Sequence, residues 1–375
     1  MAYDLIVVAR LAVASLLALV LPIADIQAIT AASAAPVPAQ PLAADGWTTV
    51  QTEPYRGKRD DIVFADARVG FYGTGAGELF RTTDGGTRWT RVWSKPGTFV
   101  RALGFVDAQR GFLGNVGDVY PNVTDTTPLY RTVDGGATWT PVDLRGAVVP
   151  GICAIDVLRT RVIHQGKLRD RVVIHAAGRV GGPAKLLRSV DGGDRWTAVA
   201  LPDAAGMVLD VKFLDASTGF VFAGTSGSAA ESEGLILKTR DGGLSWRVVY
   251  RSGRKLENIW KASFPDATNG FATVQSYDPA RAQQVVVRTT DAGETWREMP
   301  LVQDAKARQF GIGFATPWLG WVGTAIGGFE TRDGGESWAR VPLAPAANKI
   351  RTRAADGTPM VYGIGTQVQR YRTPS

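Results

Sequence analysis

Six aspartates share one frame. RTTDGGTRWT at 81–90 returns as RTVDGGATWT, RSVDGGDRWT, KTRDGGLSWR, RTTDAGETWR and ETRDGGESWA, each reading Ser/Thr-x-Asp-Gly/Ala-Gly-x-x-Trp. The acid–tryptophan pairs are Asp84 and Trp89, Asp134 and Trp139, Asp191 and Trp196, Asp241 and Trp246, Asp291 and Trp296, and Asp333 and Trp338. An acid so framed could transfer protons, ligate a cation or hold a turn. Six equivalent carboxylates cannot all line one active site. The neighbouring residues each suit a tight reversal instead. Glycine accepts φ > 0, Asp accepts hydrogen bonds from backbone N–H groups a few residues on, and Ser or Thr can bond within the same turn. The tryptophan leaves as a large apolar plug with one N–H to satisfy. The reading is structural, with no catalytic residue among the six.

Other groups could carry chemistry. Asp60, Asp61, Asp118, Asp125, Glu231, Glu233, Glu257 and Asp278 lie outside the repeats, and a glycosidase needs two carboxylates facing across a cleft. No spacing singles out a pair. His164 and His175 are the only histidines and have no Cys or acidic neighbours at metal-ligand spacing, so neither a metal nor a cofactor is expected. Arg159, Arg161, Lys167, Arg169 and Arg171 crowd one short stretch. They would suit a partner's carboxylates or phosphates through the guanidinium fork, or else stand as solvated residues on exposed strands.

The elements that carry these groups follow from the repeats. The aspartates are 50, 57, 50, 50 and 42 residues apart. A second phrase keeps step: Phe64-x-Asp66-Ala-x-x-Gly70-Phe71 recurs at 105–112, 213–220 and 264–271, and more weakly at 314–321. Two motifs in phase, at the period of a four-stranded blade, predict an all-β propeller. Six blades each end in a box, at about 60–93, 99–143, 148–201, 207–251, 256–301 and 308–343. The C-terminal run Gln369-Arg370-Tyr371-Arg372-Thr373 resembles a strand leading into a box, and Trp47-Thr48-Thr49-Val50 resembles one leaving it. The N-terminal strand is therefore expected to complete a seventh blade, outermost beside three C-terminal strands, leaving no open edge.

Residues 1–34 read as a signal peptide, with Arg10 before the apolar run 11–24 and Ala32-Ser33-Ala34 as a cleavage site. An uncleaved membrane anchor is the alternative. Residues 35–45 read as a linker and 46–375 as the propeller. Cys153 is the sole cysteine, so no intrachain disulfide forms. The net charge is +7, and without residues 1–34 the balance is 41 basic against 33 acidic residues. A basic exported protein favours acidic partners or anionic surfaces, and export argues against nucleic acid.

The box matches the Asp-box, or BNR repeat, which implies a hairpin between the third and fourth strands of a blade. Joined to Phe-x-Asp-x-x-x-Gly-Phe and to Gly73, Gly75 and Gly77, it resembles the photosystem II stability/assembly factor family. That resemblance spans 46–375 and implies an exported seven-bladed propeller; with no catalytic set singled out, a monomeric, non-catalytic scaffold is expected. It would hold a protein partner of a membrane or envelope complex, in the periplasm or outside the cell. Blade three departs from the pattern, lacking the second phrase. The alternatives are a glycosidase or a glycan-binding module; the sialidase Arg-Ile-Pro-type entry motif is absent.

Overall fold

The computed structural model describes residues 46–372 except 148, 165 and 356–357. The expected signal peptide and linker lie outside the described residues. The described chain makes seven four-stranded antiparallel sheets. In six of them the strands follow chain order from the axis outwards. Blade 1 shows the pattern, with strands Arg59–Phe64, Gly70–Thr74, Glu78–Thr82 and Thr90–Ser94. The seventh takes Lys349–Ala355, Thr358–Ile364 and Val368–Tyr371, then adds Trp47–Thr49 outermost. Trp47 pairs with Tyr371 and Thr49 with Gln369. The protein is a seven-bladed β-propeller whose last blade is completed by its N-terminal strand.

The core lies between blades, because each sheet must bury both faces against its neighbours. Seven clusters fill the seven interfaces. One joins Ile62, Tyr72, Phe80 and Trp89 of blade 1 to Tyr362, Ile364 and Val368 of blade 7, so the ring closes on itself.

The two sequence phrases are in phase because they pack as one unit. The first Phe of the phrase ends a blade's innermost strand or, as Phe264, directly follows it. It stacks on an aromatic of the preceding blade's second strand: Phe105 on Phe71 at 3.6 Å, Phe314 on Phe271 at 3.5 Å, Phe264 on Phe220 at 4.9 Å. Its other side meets the edge of its own blade's box tryptophan, as in Phe105–Trp139, Phe264–Trp296 and Phe314–Trp338. Such pairs add roughly 0.5–1.5 kcal/mol beyond their area burial.

Blade 3 keeps this frame although the phrase is missing from its sequence. His175 fills the aromatic slot and stacks on Phe213 at 3.6 Å. In the other boxed blades, the first box glycine (Ala292 in blade 5) donates its N–H to a carbonyl three residues before that slot. The acceptors are Arg68, Gln109, Ser217, Thr268 and Trp318. In blade 3, Gly192 donates to Val172, three residues before His175. The register is therefore conserved, and the short turn has been replaced by a long hairpin. Strands Ala154–His164 and Lys167–Ala177 run 11 residues each, against five to seven in the corresponding strands of the other blades.

Candidate functional site

Each box closes as a hydrogen-bonded turn between a blade's third and fourth strands. In blade 2 the Thr132 hydroxyl donates to Asp134 at 2.8 Å and accepts from Gly136 N–H at 3.0 Å. Asp134 also accepts from Thr138 N–H at 2.9 Å and Thr138 Oγ1 at 2.6 Å, and Trp139 Nε1 donates to the Gly136 carbonyl at 3.0 Å. These bonds, those from Thr138 foremost, hold the Asp134 carboxyl down to about 2. The two box glycines take φ of 71° and 87°. Ala292 occupies the first of these positions in blade 5, at φ 60°. The same Ser/Thr–Asp bond recurs at Asp84, Asp191, Asp241, Asp291 and Asp333. The six carboxylates sit in six separate blades and are not brought together.

In blades 1, 2, 4 and 5 a second acid turn lies beside the box, joining strands one and two. There Asp66, Asp107, Asp215 and Asp266 accept from backbone N–H groups two and three residues on. Both turn types fall on one face of the disc, here the turn face. The opposite, loop face carries the connections between strands two and three.

The charges that converge lie on the axis. The innermost strands carry a register shift in blades 1, 2, 4, 5 and 6, which skips Asp60, Arg101, Leu209, Trp260 with Lys261, and Phe310 with Gly311. A bulge re-aims the extra side chain, and these meet across the ring. Arg101 of blade 2 pairs with Asp60 of blade 1 and lies 5.2 Å over Trp260 of blade 5. Trp260 Nε1 donates to Asn348 of blade 7 at 3.2 Å, and Asn348 Nδ2 donates to Asp60 at 3.0 Å. Farther along the channel Asp61 accepts from Arg351 at 3.2 Å and from Leu103 N–H at 2.9 Å, with Lys349 at 3.6 Å. Burial would raise the Asp61 carboxyl, but Lys349 and Arg351 outweigh it and hold it low. Lys349 is itself pushed well down by burial and by Arg351. Buried pairs of this kind cost several kcal/mol when one partner is removed.

Around the loop-side mouth stand Lys58, Arg308, Tyr277, Tyr120 and Phe310. Arg308 lies 5.2 Å from the Tyr277 ring and 5.4 Å from Phe310, and Lys58 lies 5.1 Å from the other cation's Phe310 ring. Among the described residues Arg308 has no carboxylate or other side-chain hydrogen-bond partner. Burial pushes the Tyr120 hydroxyl up to about 12, so it stays a neutral donor. These mouth residues were missed in the sequence. Their signal is weak: single cations just ahead of an inner strand, such as Lys58 before RDDIVF and Arg308 before QFGIGF.

On the turn face the channel opens into a cavity of about 240 Å³, lined by Phe64, Phe105, Val157, Asp156, Lys212 and Arg351 among others. Its charges are internally satisfied, with Lys212 on Asp156 at 3.2 Å and Arg351 on Asp61.

The eight carboxylates noted in the sequence each have partners within the chain. Asp60 and Asp61 hold the axial cations. Asp118 pairs with Arg179 at 2.8 Å, Asp125 with Lys95 at 3.0 Å, Glu231 with Lys255 at 2.5 Å and Glu233 with Arg251 at 3.5 Å. Glu257 takes Arg254 and Arg281, and Asp278 caps a turn at Ala280 N–H.

The five-cation cluster of blade 3 is divided. Side chains alternate between the two faces of a strand, and Arg161 opposes Asp170 while Thr160 opposes Arg171. Arg159 and Arg161 thus share one face with Asp170, at 3.7 and 3.6 Å. Lys167, Arg169 and Arg171 occupy the other. A single five-residue patch does not form, because the residues sit in both phases of the hairpin. Of the two histidines, His175 is buried with neither ring nitrogen hydrogen-bonded among the described residues. Burial, with Arg188 beside it, pushes it down to about 3.

No family model matches the chain, and no curated protein matches it in sequence. Solved structures do. A YCF48 bound to a D1 peptide superposes with a TM-score of 0.61 at 16% identity, over 90% of this chain and 97% of that one. YCF48 from Cyanidioschyzon merolae gives 0.60 at 15% identity, over 87% and 99%. The GH74 enzyme of Niastella koreensis gives 0.56 at 16% identity over 84% of this chain but only 51% of its own. The chain thus has the propeller architecture of YCF48, a photosystem II assembly factor, and shares that fold with glycosidase propellers.

Proposed function

We propose that the chain is an exported, non-catalytic scaffold that holds an extended, carboxylate-bearing segment of a protein partner at the loop-side mouth of its channel. The partner belongs to a membrane or envelope complex. One observation carries the reading: Arg308, braced between two aromatic faces beside Lys58, has no carboxylate of its own among the described residues. A guanidinium held this way is pre-organised for bidentate binding of a carboxylate and loses little freedom in doing so. The YCF48 solved with a D1 peptide supports a peptide ligand for this fold. Asp61, held low by Lys349 and Arg351, speaks against a glycosidase acid on the axis, since a general acid needs a raised pKa.

The test is capture of partners from detergent-solubilised membranes with the parent chain and with Arg308→Glu. Charge reversal is expected to weaken capture by about tenfold or more, the scale of one charge-assisted hydrogen-bonded contact. Equal capture by both would remove the mouth from the binding surface. Turnover in a fluorogenic glycoside panel would overturn the scaffold reading itself.

A further inference from the structure

The exposed large apolar side chains of the described residues are Val133, Ile163, Leu168, Val190, Leu244, Val248 and Trp318. All but Val248 lie on the turn face. Val133, Val190 and Leu244 sit in box turns of blades 2, 3 and 4, and Trp318 in the first turn of blade 6. Ile163 and Leu168 stand at the tip of the blade 3 hairpin, 78% and 62% exposed, and face each other across its two strands. The third strand of blade 3 supports the hairpin only as far as Ile174. Beyond that, residues 159–164 and 167–171 form a two-stranded arm of about 20 Å at the usual rise per residue. Arg159 Nη1 ties its base to the Val106 carbonyl of blade 2 at 2.9 Å. The arm carries five Lys or Arg against the single Asp170.

We infer that this arm docks the turn face onto an anionic lipid bilayer, with Ile163 and Leu168 entering the headgroup boundary and the arm's cations meeting lipid phosphates. A standard protein interface buries about 800 Å² per partner around a packed apolar core. On the arm the exposed apolar groups are only two paired side chains, Ile163 and Leu168, too few to form such a core. A bilayer takes protruding side chains one at a time, and basic residues beside them add to the attraction. The contact is confined to the arm, because the rim elsewhere on this face carries the box and turn acids. It leaves the loop-side mouth facing away from the membrane.

The experiment places an environment-sensitive fluorophore on the full chain at Ile163→Cys. Cys153 is buried and does not compete for label. The control label is Gln303→Cys, at the loop-face end of blade 5. Vesicles of phosphatidylcholine alone and with phosphatidylglycerol are compared, and the label is also carried on Lys167→Glu/Arg169→Glu/Arg171→Glu. The N-terminal apolar run is common to all variants and does not distinguish them. The expected result is a blue shift with about a twofold or greater rise in emission at residue 163 on anionic vesicles only. The triple reversal abolishes it, and residue 303 does not respond. The substituted side chains are exposed or half-exposed, and unchanged thermal unfolding shows that the variants fold.

A residue 163 label equally wet on both vesicle types overturns the inference, and so does a response that survives the triple reversal. An equal response at 163 and 303 means unspecific adsorption and also overturns it. Loss of protein capture on the triple reversal, with no vesicle response, reassigns the arm to a protein partner. Each of these results leaves the Arg308 test unaffected.

Discussion

At the level of single residues, type and backbone demand agree at almost every box position. Asp134→Ala removes an acceptor that serves one backbone N–H and two hydroxyls, and should cost about 1–2 kcal/mol in urea unfolding, the usual worth of such bonds. Partner capture should be unchanged, which separates a turn-holding acid from a binding one. His175 gives a pH signature. Its folded pKa of about 3 lies below the ordinary 6.5, so the unfolded chain binds a proton that the folded chain refuses. Stability is then full above pH 6.5 and falls by up to roughly 1.4 kcal/mol per pH unit as the pH drops from 6.5 toward 3. His175→Phe keeps the stack on Phe213 and should flatten that part of the profile. A profile equally steep in the variant would show that other groups carry it.

At the level of elements, the blade 3 arm and the inner-strand bulges are additions to a regular frame. Among the described residues, 160–163 and 167–171 add no side chain to the interblade clusters, so replacing the arm with the Asp215–Thr218 turn of blade 4 should shift unfolding by no more than about 1 kcal/mol. A larger loss would mean that the arm folds back on blades 2 or 4. The bulges have the opposite standing. They turn Asp60, Arg101 and Trp260 onto the axis, where each satisfies another.

At the level of the whole molecule, closure matters most. Trp47 packs edge-on to Trp321 at 5.9 Å and against Tyr371 at 5.6 Å, joining the two ends of the chain through blades 6 and 7. Trp47→Ala should cost about 3–5 kcal/mol by cavity formation. It should also raise aggregation, since the Val368–Tyr371 strand would then present a loosened edge. Thermal unfolding with light scattering reads both. The two faces differ, with Arg308, Lys58 and aromatic rings at the loop-side mouth and the arm on the turn side.

Much of this was legible in the sequence because repetition is local chemistry written six times. The box residues determine their own turn, their spacing determines the blade, and Trp47 announces the strand that completes the seventh. What only the tertiary structure decided depends on strand register. Whether Arg161 and Arg171 share a face turns on one residue of phase, and which residues reach the axis turns on bulges that no spacing reveals. His175 looked like a lone polar residue until the neighbouring blade set Phe213 against it. Proximity between blades three apart, such as Arg101 over Trp260, is a property of the closed ring and of no single repeat.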